Sequence, residues 1–170
     1  ITTAEYFVPH LLAEFGRRHP DITFRLTVDN RERVRALLQE NRIDVAIMGQ
    51  PPRGLALRRI PFAPHRLSFV ARPDHPLAAR RNIPLAALTD ERLLLREQGS
   101  GTRDNLERFL RANGVKPLAA AELGSNETLK QAAMAGMGIA FLSHHTFAME
   151  AEYGRLQRLD VQDTPVIREW

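Results

Sequence analysis

The sequence contains no cysteine, and this absence excludes both a disulfide framework and thiolate catalysis. It also fits a protein that works in a reducing compartment. No apolar run approaches the roughly 18 residues that a membrane-spanning helix needs. Lysine is scarce as well, because Lys116 and Lys130 are the only two, so that arginine carries most of the basic charge.

Charge of one sign is never concentrated in this chain. Of its 170 residues, 24 are Lys or Arg and 20 are Asp or Glu, which gives a formal net charge of +4. Arginines alternate with acids, as in Arg31-Glu32-Arg33 and Arg103-Asp104. This pattern indicates a mixed, solvated surface instead of a basic stripe for nucleic acid. With 44% hydrophobic and 26% charged residues, the chain is long enough for two small lobes with cores.

The first part of the chain alternates helix and strand patterns. Thr2 and Thr3 precede an apolar stripe that predicts a helix, although Pro9 requires that this helix begins later or is kinked. Residues 22–28 alternate apolar and polar side chains as a half-buried strand does. A helix and then an apolar strand at residues 43–48 follow. This order predicts a βαβ unit with a parallel crossover.

Two further strand patterns, at residues 55–62 and 66–71, stand where the chain would pass from one sheet to another, so we expect a lobe boundary near Arg66. The second lobe repeats the α/β alternation. Its strands are predicted at residues 92–96, 118–123, 139–142, 156–161 and 166–170, and its helices at residues 103–112, 126–134 and 144–153.

The loop at residues 99–102 (GSGT) lies between a predicted strand and a predicted helix. The first amides of a helix are unpaired and carry partial positive charge, so such a loop binds an anion or only caps its helix. Similar polar junctions occur at Thr2-Thr3 and Ser125-Asn126. In open α/β sheets ligands bind beyond the carboxyl ends of the strands. Together with Met48-Gly49, these junctions predict a cleft for a small ligand, and we expect an anionic one.

Motifs of enzymes are missing or incomplete. The glycine loop is not a G-x-S-x-G elbow, because Gln98 stands where the first glycine belongs. Phosphate-binding P-loop and dinucleotide fingerprints are absent too. His144 and His145 are adjacent and would point about 100° apart on a helix, so they are poor metal ligands and indicate structural or solvated roles. The sequence predicts no enzyme, no metal site and no cofactor.

Four stretches in this order resemble the effector-binding domain of LysR-type transcriptional regulators: IDVAI at residues 43–47, HPLA at 75–78, QGSGTR at 98–103 and AGMGIAFL at 135–142. Two more, TTAEYFVP at residues 2–9 and IMGQPP at 47–52, resemble the CbbR-type branch, which controls Calvin-cycle operons. Each motif alone is weak, whereas the ordered set is specific and covers the whole chain.

The resemblance implies an α/β fold like that of type 2 periplasmic binding proteins, with two Rossmann-like subdomains and a ligand cleft between them. Subdomain I would span residues 1–66, without its first strand and last helix, and subdomain II residues 67–168, with a return near residues 168–170. By the family pattern, the effector contacts fall on Thr2, Thr3, Met48, Gly49, Gln98, Ser100, Gly101, Thr102 and Asn126. Some dicarboxylate-binding members carry an arginine near the position of Met48, which this chain lacks.

The resemblance also implies partners. These are a small-molecule effector, a second copy of the chain in a homodimer or tetramer, and DNA, bound only through a helix-turn-helix domain before Ile1. It implies a cytoplasmic location without a membrane partner. The rival interpretation is a periplasmic solute-binding protein of a transporter, which would have the same fold and a similar cleft.

Overall fold

A mixed six-stranded sheet organises the computed structural model, which describes residues 5–49, 51–52, 54–116 and 118–170. The helices of the described residues are α1 (Val8–Arg18), α2 (Arg31–Gln39), α3 (Gly101–Ala112), α4 (Asn126–Met134) and α5 (His144–Glu152), with a 3-10 helix at Leu85–Leu88. The strands are β1 (Pro64–Ala71), β2 (Arg92–Arg96), β3 (Leu118–Leu123), β4 (Ile139–Ser143), β5 (Gln157–Arg158) and β6 (Val166–Glu169).

The strand order is β3-β2-β4-β1-β5, and β6 also pairs with β1. The three strands β3, β2 and β4 are parallel. In contrast, β1 runs antiparallel to β4, with Phe69 opposite Phe141, and antiparallel to β5 and β6. The amino end of β1 therefore lies at the edge of the sheet where the parallel strands end, beside the carboxyl end of β6.

Helices cover both faces of this sheet. Successive side chains of a strand point to opposite faces, so the residues of β1 and β4 contribute alternately to two hydrophobic clusters. Leu67, Phe69 and Phe141 pack with Leu106 and Leu110 of α3 on one face. Val70 and Leu142 pack with Leu129 and Ala133 of α4 and Phe147 of α5 on the other. The result is the three-layer α/β arrangement that the alternating pattern predicts.

Most elements predicted after residue 66 are confirmed. The strands predicted at residues 92–96, 118–123 and 139–142 are present, the last of them one residue longer, and α3 begins at Gly101, two residues before its predicted start. The question about the first helix is also resolved. The helix that contains Pro9 begins at Val8, after a turn at Phe7 that separates it from the helical residues Glu5 and Tyr6, so Pro9 lies in a first turn, where a proline costs no hydrogen bond.

Three predicted strands are wrong. The described residues within 22–28, 43–48 and 55–62 form no strand. The two strands that were expected to flank α2 in a βαβ unit are therefore missing. The alternation at residues 22–28 is real, but its apolar side chains remain 41–49% exposed. A strand exists only where a neighbour accepts and donates its backbone hydrogen bonds, and periodicity does not report that neighbour. The predicted strand at residues 156–161 shortens to β5.

Two polar contacts attach the first part of the chain to the sheet-forming part. Arg31, at the start of α2, forms a half-buried ion pair with Asp104 of α3. The Tyr6 hydroxyl lies 3.2 Å from a carboxylate oxygen of Glu127 on α4, and the buried Lys130 lies 2.9 Å from the same oxygen. Among the described residues, no helix is long and apolar enough to span a membrane.

Gly138, between α4 and β4, is predicted to be intolerant of a side chain. A Cβ atom there would lie 2.3 Å from the backbone oxygen of Arg92, so either β2 or β4 would have to move. We expect Gly138→Ala to lower the free energy of unfolding by about 1–3 kcal/mol, measured by urea denaturation. Gly124 is the matched control, because a Cβ atom there meets nothing within 4 Å. Equal losses in both variants would contradict the packing argument.

Candidate functional site

A cavity of about 90 Å³ opens at the carboxyl end of β2. This volume is several times the roughly 10–15 Å³ that one water needs, so the cavity admits a small ligand. Its walls come from the start of α2, the segment before residue 50, the amino ends of β1 and α3, and the residue after β6. The lining residues are Asp29, Asn30, Arg31, Val34, Ile47, Met48, Gly49, His65, Arg96, Ser100, Gly101, Thr102, Asn105, Arg108 and Trp170.

The amino end of α3 faces this cavity without a side-chain cap. Its first hydrogen bond runs from the amide of Asp104 to the Ser100 oxygen at 3.0 Å, so the three preceding amides have no acceptor within the helix. Ser100 occupies the N-cap position and is only 2% exposed, yet its side chain makes no capping bond. The partial positive charge of the helix end is therefore directed at the cavity.

Ser125 shows what a capping serine looks like in the same fold. It precedes α4, and its hydroxyl accepts a hydrogen bond from the Thr128 amide at 3.0 Å. The sequence left open whether each polar junction only caps its helix. The capping role is confirmed for Ser125, whereas the Ser100 side chain does not perform it.

The start of α2 closes the cavity against the glycine loop. Asn30 caps α2 by accepting a hydrogen bond from the Arg33 amide at 3.0 Å. Gly99 has a φ of +82°, and a Cβ atom there would lie 2.7 Å from a carboxylate oxygen of Glu32. Only glycine fits both requirements, because L residues rarely adopt that conformation. The loop and α2 are thus held within van der Waals reach.

Arginines dominate the charged lining of the cavity. Arg31, Arg96 and Arg108 line it, against the single carboxylate of Asp29. Arg96 is buried, donates to both oxygens of Glu97 at 2.7 and 2.9 Å, and donates to the Asn126 side-chain oxygen. Arg31 is paired with Asp104 and Arg96 with Glu97, so neither of these guanidinium groups is buried as an isolated cation.

His65 is the exception to this pairing. It is 6% exposed, and neither ring nitrogen has a hydrogen-bond partner among the residues that the structure describes. Its ring stacks on Trp170 with 4.4 Å between the ring centroids. Burial, with a smaller contribution from the nearby His145, lowers the pKa of His65 to about 4. At neutral pH the imidazole is therefore uncharged, with one nitrogen donating and the other accepting.

The structure brings together most, but not all, of the residues predicted to contact an effector. Met48, Gly49, Ser100, Gly101 and Thr102 line the cavity. Asn126 is fully buried and does not line the cavity, but its side-chain oxygen accepts a hydrogen bond from Arg96, which does. Gln98 is exposed and does not line the cavity. Thr2 and Thr3 lie outside the described residues.

Several lining residues were missed by sequence reasoning, above all His65, Arg96 and Trp170. Arg96 had a signal, because it is a charged residue that ends an apolar strand at the edge where ligands bind. His65 and Trp170 had none, since their position depends on the direction of β1 and β6. His144 has a structural role, with a ring nitrogen 2.9 Å from the Ser68 hydroxyl, and His145 is exposed.

The two serines give a matched test of capping. Ser125→Ala removes a capping hydrogen bond and is expected to lower the free energy of unfolding by about 1 kcal/mol. Ser100→Ala removes no such bond, so its loss is expected to be under about 0.5 kcal/mol. Urea denaturation of both variants measures the difference. A larger loss for Ser100→Ala would show that its hydroxyl does stabilise α3.

Buried His65 predicts a specific acid destabilisation. Its pKa in the folded chain, about 4, lies below the unfolded value near 6.5, so the unfolded state takes up the proton first as the pH falls. The stability contributed by neutral His65 is complete above about pH 6.5 and is lost toward pH 4. Over that range we expect the free energy of unfolding to fall by about 3 kcal/mol more in the parent chain than in His65→Phe. Parallel pH profiles in chemical denaturation would contradict this.

Comparison with known proteins gives close relatives over the whole chain. It is 47% identical over 170 residues to the HTH-type transcriptional regulator CfxR of Cupriavidus necator, covering 100% of this chain and 54% of that protein. It is 48% identical over 172 residues to the HTH-type transcriptional regulator CbbR of Xanthobacter flavus, covering 100% of this chain and 52% of that protein. The chain thus spans about half the length of the curated relatives it matches.

A solved structure resembles this fold closely. It is the CcmR regulatory domain of Synechocystis PCC6803 in complex with 2-PG, with a TM-score of 0.94, 43% sequence identity, and coverage of 99% of this chain and 81% of that one. The effector-binding domains among the structural neighbours share the periplasmic-binding-protein-like α/β fold. The family model described as the LysR substrate binding domain matches residues 1–170. Sequence and fold agree with that match, and the chain belongs to the LysR substrate binding domain family.

Proposed function

We propose that this chain is the effector-sensing part of a transcriptional regulator of carbon-fixation genes, and that the cavity at the amino end of α3 binds a small anionic metabolite. One observation carries the proposal. The uncapped amino end of α3 opens into a cavity that three arginines line. Unpaired helix amides and guanidinium groups are the donors that carboxylates and phosphates require.

The cavity, at about 90 Å³, admits a short carbon chain with one or two anionic groups. The CcmR domain, a relative at 43% identity, was solved with 2-PG, an abbreviation used for 2-phosphoglycolate and for 2-phosphoglycerate. Both compounds carry one phosphate and one carboxylate on a chain of two or three carbons. They are the first compounds to test on this chain.

Residues Met48, Gly49, Ser100, Gly101 and Thr102 are proposed as direct contacts of the effector, since all five line the cavity. The assignment of Thr2, Thr3, Gln98 and Asn126 as effector contacts also remains a prediction. The proposed lobes are residues 1–66 and 67–168. The effector lies between α2 of the first and α3 of the second.

The whole regulator would act through partners. DNA would be bound by a helix-turn-helix domain outside this chain, in the cytoplasm, by a homodimer or tetramer that responds to the effector. The curated relatives support this role over that of a transporter's solute-binding protein, because they are transcriptional regulators. The same similarity supports a regulatory domain without enzymatic activity.

Thr102→Val provides the test, because it keeps the shape of the side chain and removes its hydroxyl. Bonds to charged groups contribute about 1.5–3 kcal/mol, so losing one is expected to weaken binding of 2-phosphoglycolate or 2-phosphoglycerate about tenfold or more. Calorimetric titration measures both variants. Thr89→Val, an exposed threonine outside the cavity, is the control and should bind like the parent chain. Absence of binding to the parent chain would reject the proposed effector class.

A further inference from the structure

Few buried side-chain nitrogen and oxygen atoms in the described part of the chain are without a hydrogen-bond partner. They are the two ring nitrogens of His65 and the hydroxyl oxygens of Ser143 and Thr146. Of these three residues only His65 lines the cavity. A buried polar group without a partner is costly, so a folded protein keeps one mainly where something else binds it.

The surroundings of His65 hold its ring in one position. Trp170 stacks on the ring at an interplanar angle of 27°. The amide of Trp170 is in turn bonded to the Ala63 oxygen at 2.9 Å, beside the start of β1. The ring is thus fixed by the strand that carries it and by the residue after β6. Neither ring nitrogen is itself open to the cavity in the ligand-free chain, because both have almost no accessible surface, so an effector reaches one of them only when the ring or a neighbouring side chain moves.

His65 and the amino end of α3 are different walls of the same cavity, because they belong to different elements. A single small anion at α3 does not fill the cavity, whose volume of about 90 Å³ is several times that needed by one water. The neutral state of His65, which its lowered pKa maintains, lets one ring nitrogen donate to an oxygen without adding a charge. The two walls therefore suit the two ends of one molecule.

We infer that His65 is a specificity-determining residue that binds the second polar group of a two-headed effector whose first anionic group lies at the amino end of α3. The inference rests on the proposed function and extends it, because it states which effectors the pocket prefers. A compound with a single phosphate or carboxylate supplies an acceptor only to the amides at the amino end of α3. A compound with both groups on a short chain also supplies the missing partner of His65.

His65→Phe separates a ligand-binding role from a structural one. Phenylalanine keeps the stacked ring and removes both nitrogens, and no hydrogen bond to a described residue is lost. The thermal midpoint at neutral pH is expected to stay the same or rise. Affinity for 2-phosphoglycolate or 2-phosphoglycerate is expected to fall about tenfold. Affinity for inorganic phosphate, which has no second polar group, is expected to be unchanged. His65→Gln restores a donor and an acceptor and should recover part of the affinity.

His144→Phe is the matched control, because that histidine is outside the cavity and bonds Ser68. It should lower the thermal midpoint and leave both affinities unchanged, which is the opposite of His65→Phe. Calorimetric titration and thermal unfolding of all four proteins give these readouts. Equal loss of affinity for the two-headed compounds and for phosphate, or no loss in His65→Phe, would overturn the inference alone. Absence of binding of every compound to the parent chain would overturn the proposed function and this inference together.

Discussion

Burial of β2 from both sides is the constraint on which the site depends. It lies between the parallel strands β3 and β4, and Leu93 and Leu94 point to opposite, covered faces. A strand so enclosed can turn only where it leaves the sheet, and the chain then enters α3 through the glycine loop. The charged end of β2 and the positive end of α3 consequently meet at one edge, which is where ligands bind in open α/β sheets.

The same edge receives groups from the antiparallel strands. Because β1 runs opposite to β4, its amino end brings His65 to the carboxyl ends of the parallel strands. The pairing of β6 with β1 brings Trp170 beside it. The mixed direction of the sheet is thus part of the chemistry of the pocket. An all-parallel sheet would place the start of β1 at the opposite edge.

Pairs of identical residue types show how tertiary context divides structural from binding roles. Ser125 caps a helix, whereas Ser100 occupies the same kind of position without a capping bond. His144 lies within hydrogen-bond distance of a serine, whereas His65 has no partner within the described part of the protein. In each pair the residue that is not used by the fold lines the cavity. The polar side chains that make no such hydrogen bond within the fold, Ser100 and His65, are the ones that we propose to contact the effector.

Local pattern in the sequence was sufficient to predict α3, α4, β2, β3 and β4, because burial on one or both faces imposes a period on consecutive residues. The ordered motifs also predicted the family and five of the lining residues. Periodicity was insufficient at residues 22–28, where the alternation is present but no strand pairs with it. Sequence alone did not reveal His65 or Trp170 as lining residues either. Their place depends on strand direction and on partners distant in the chain, which only tertiary structure decides.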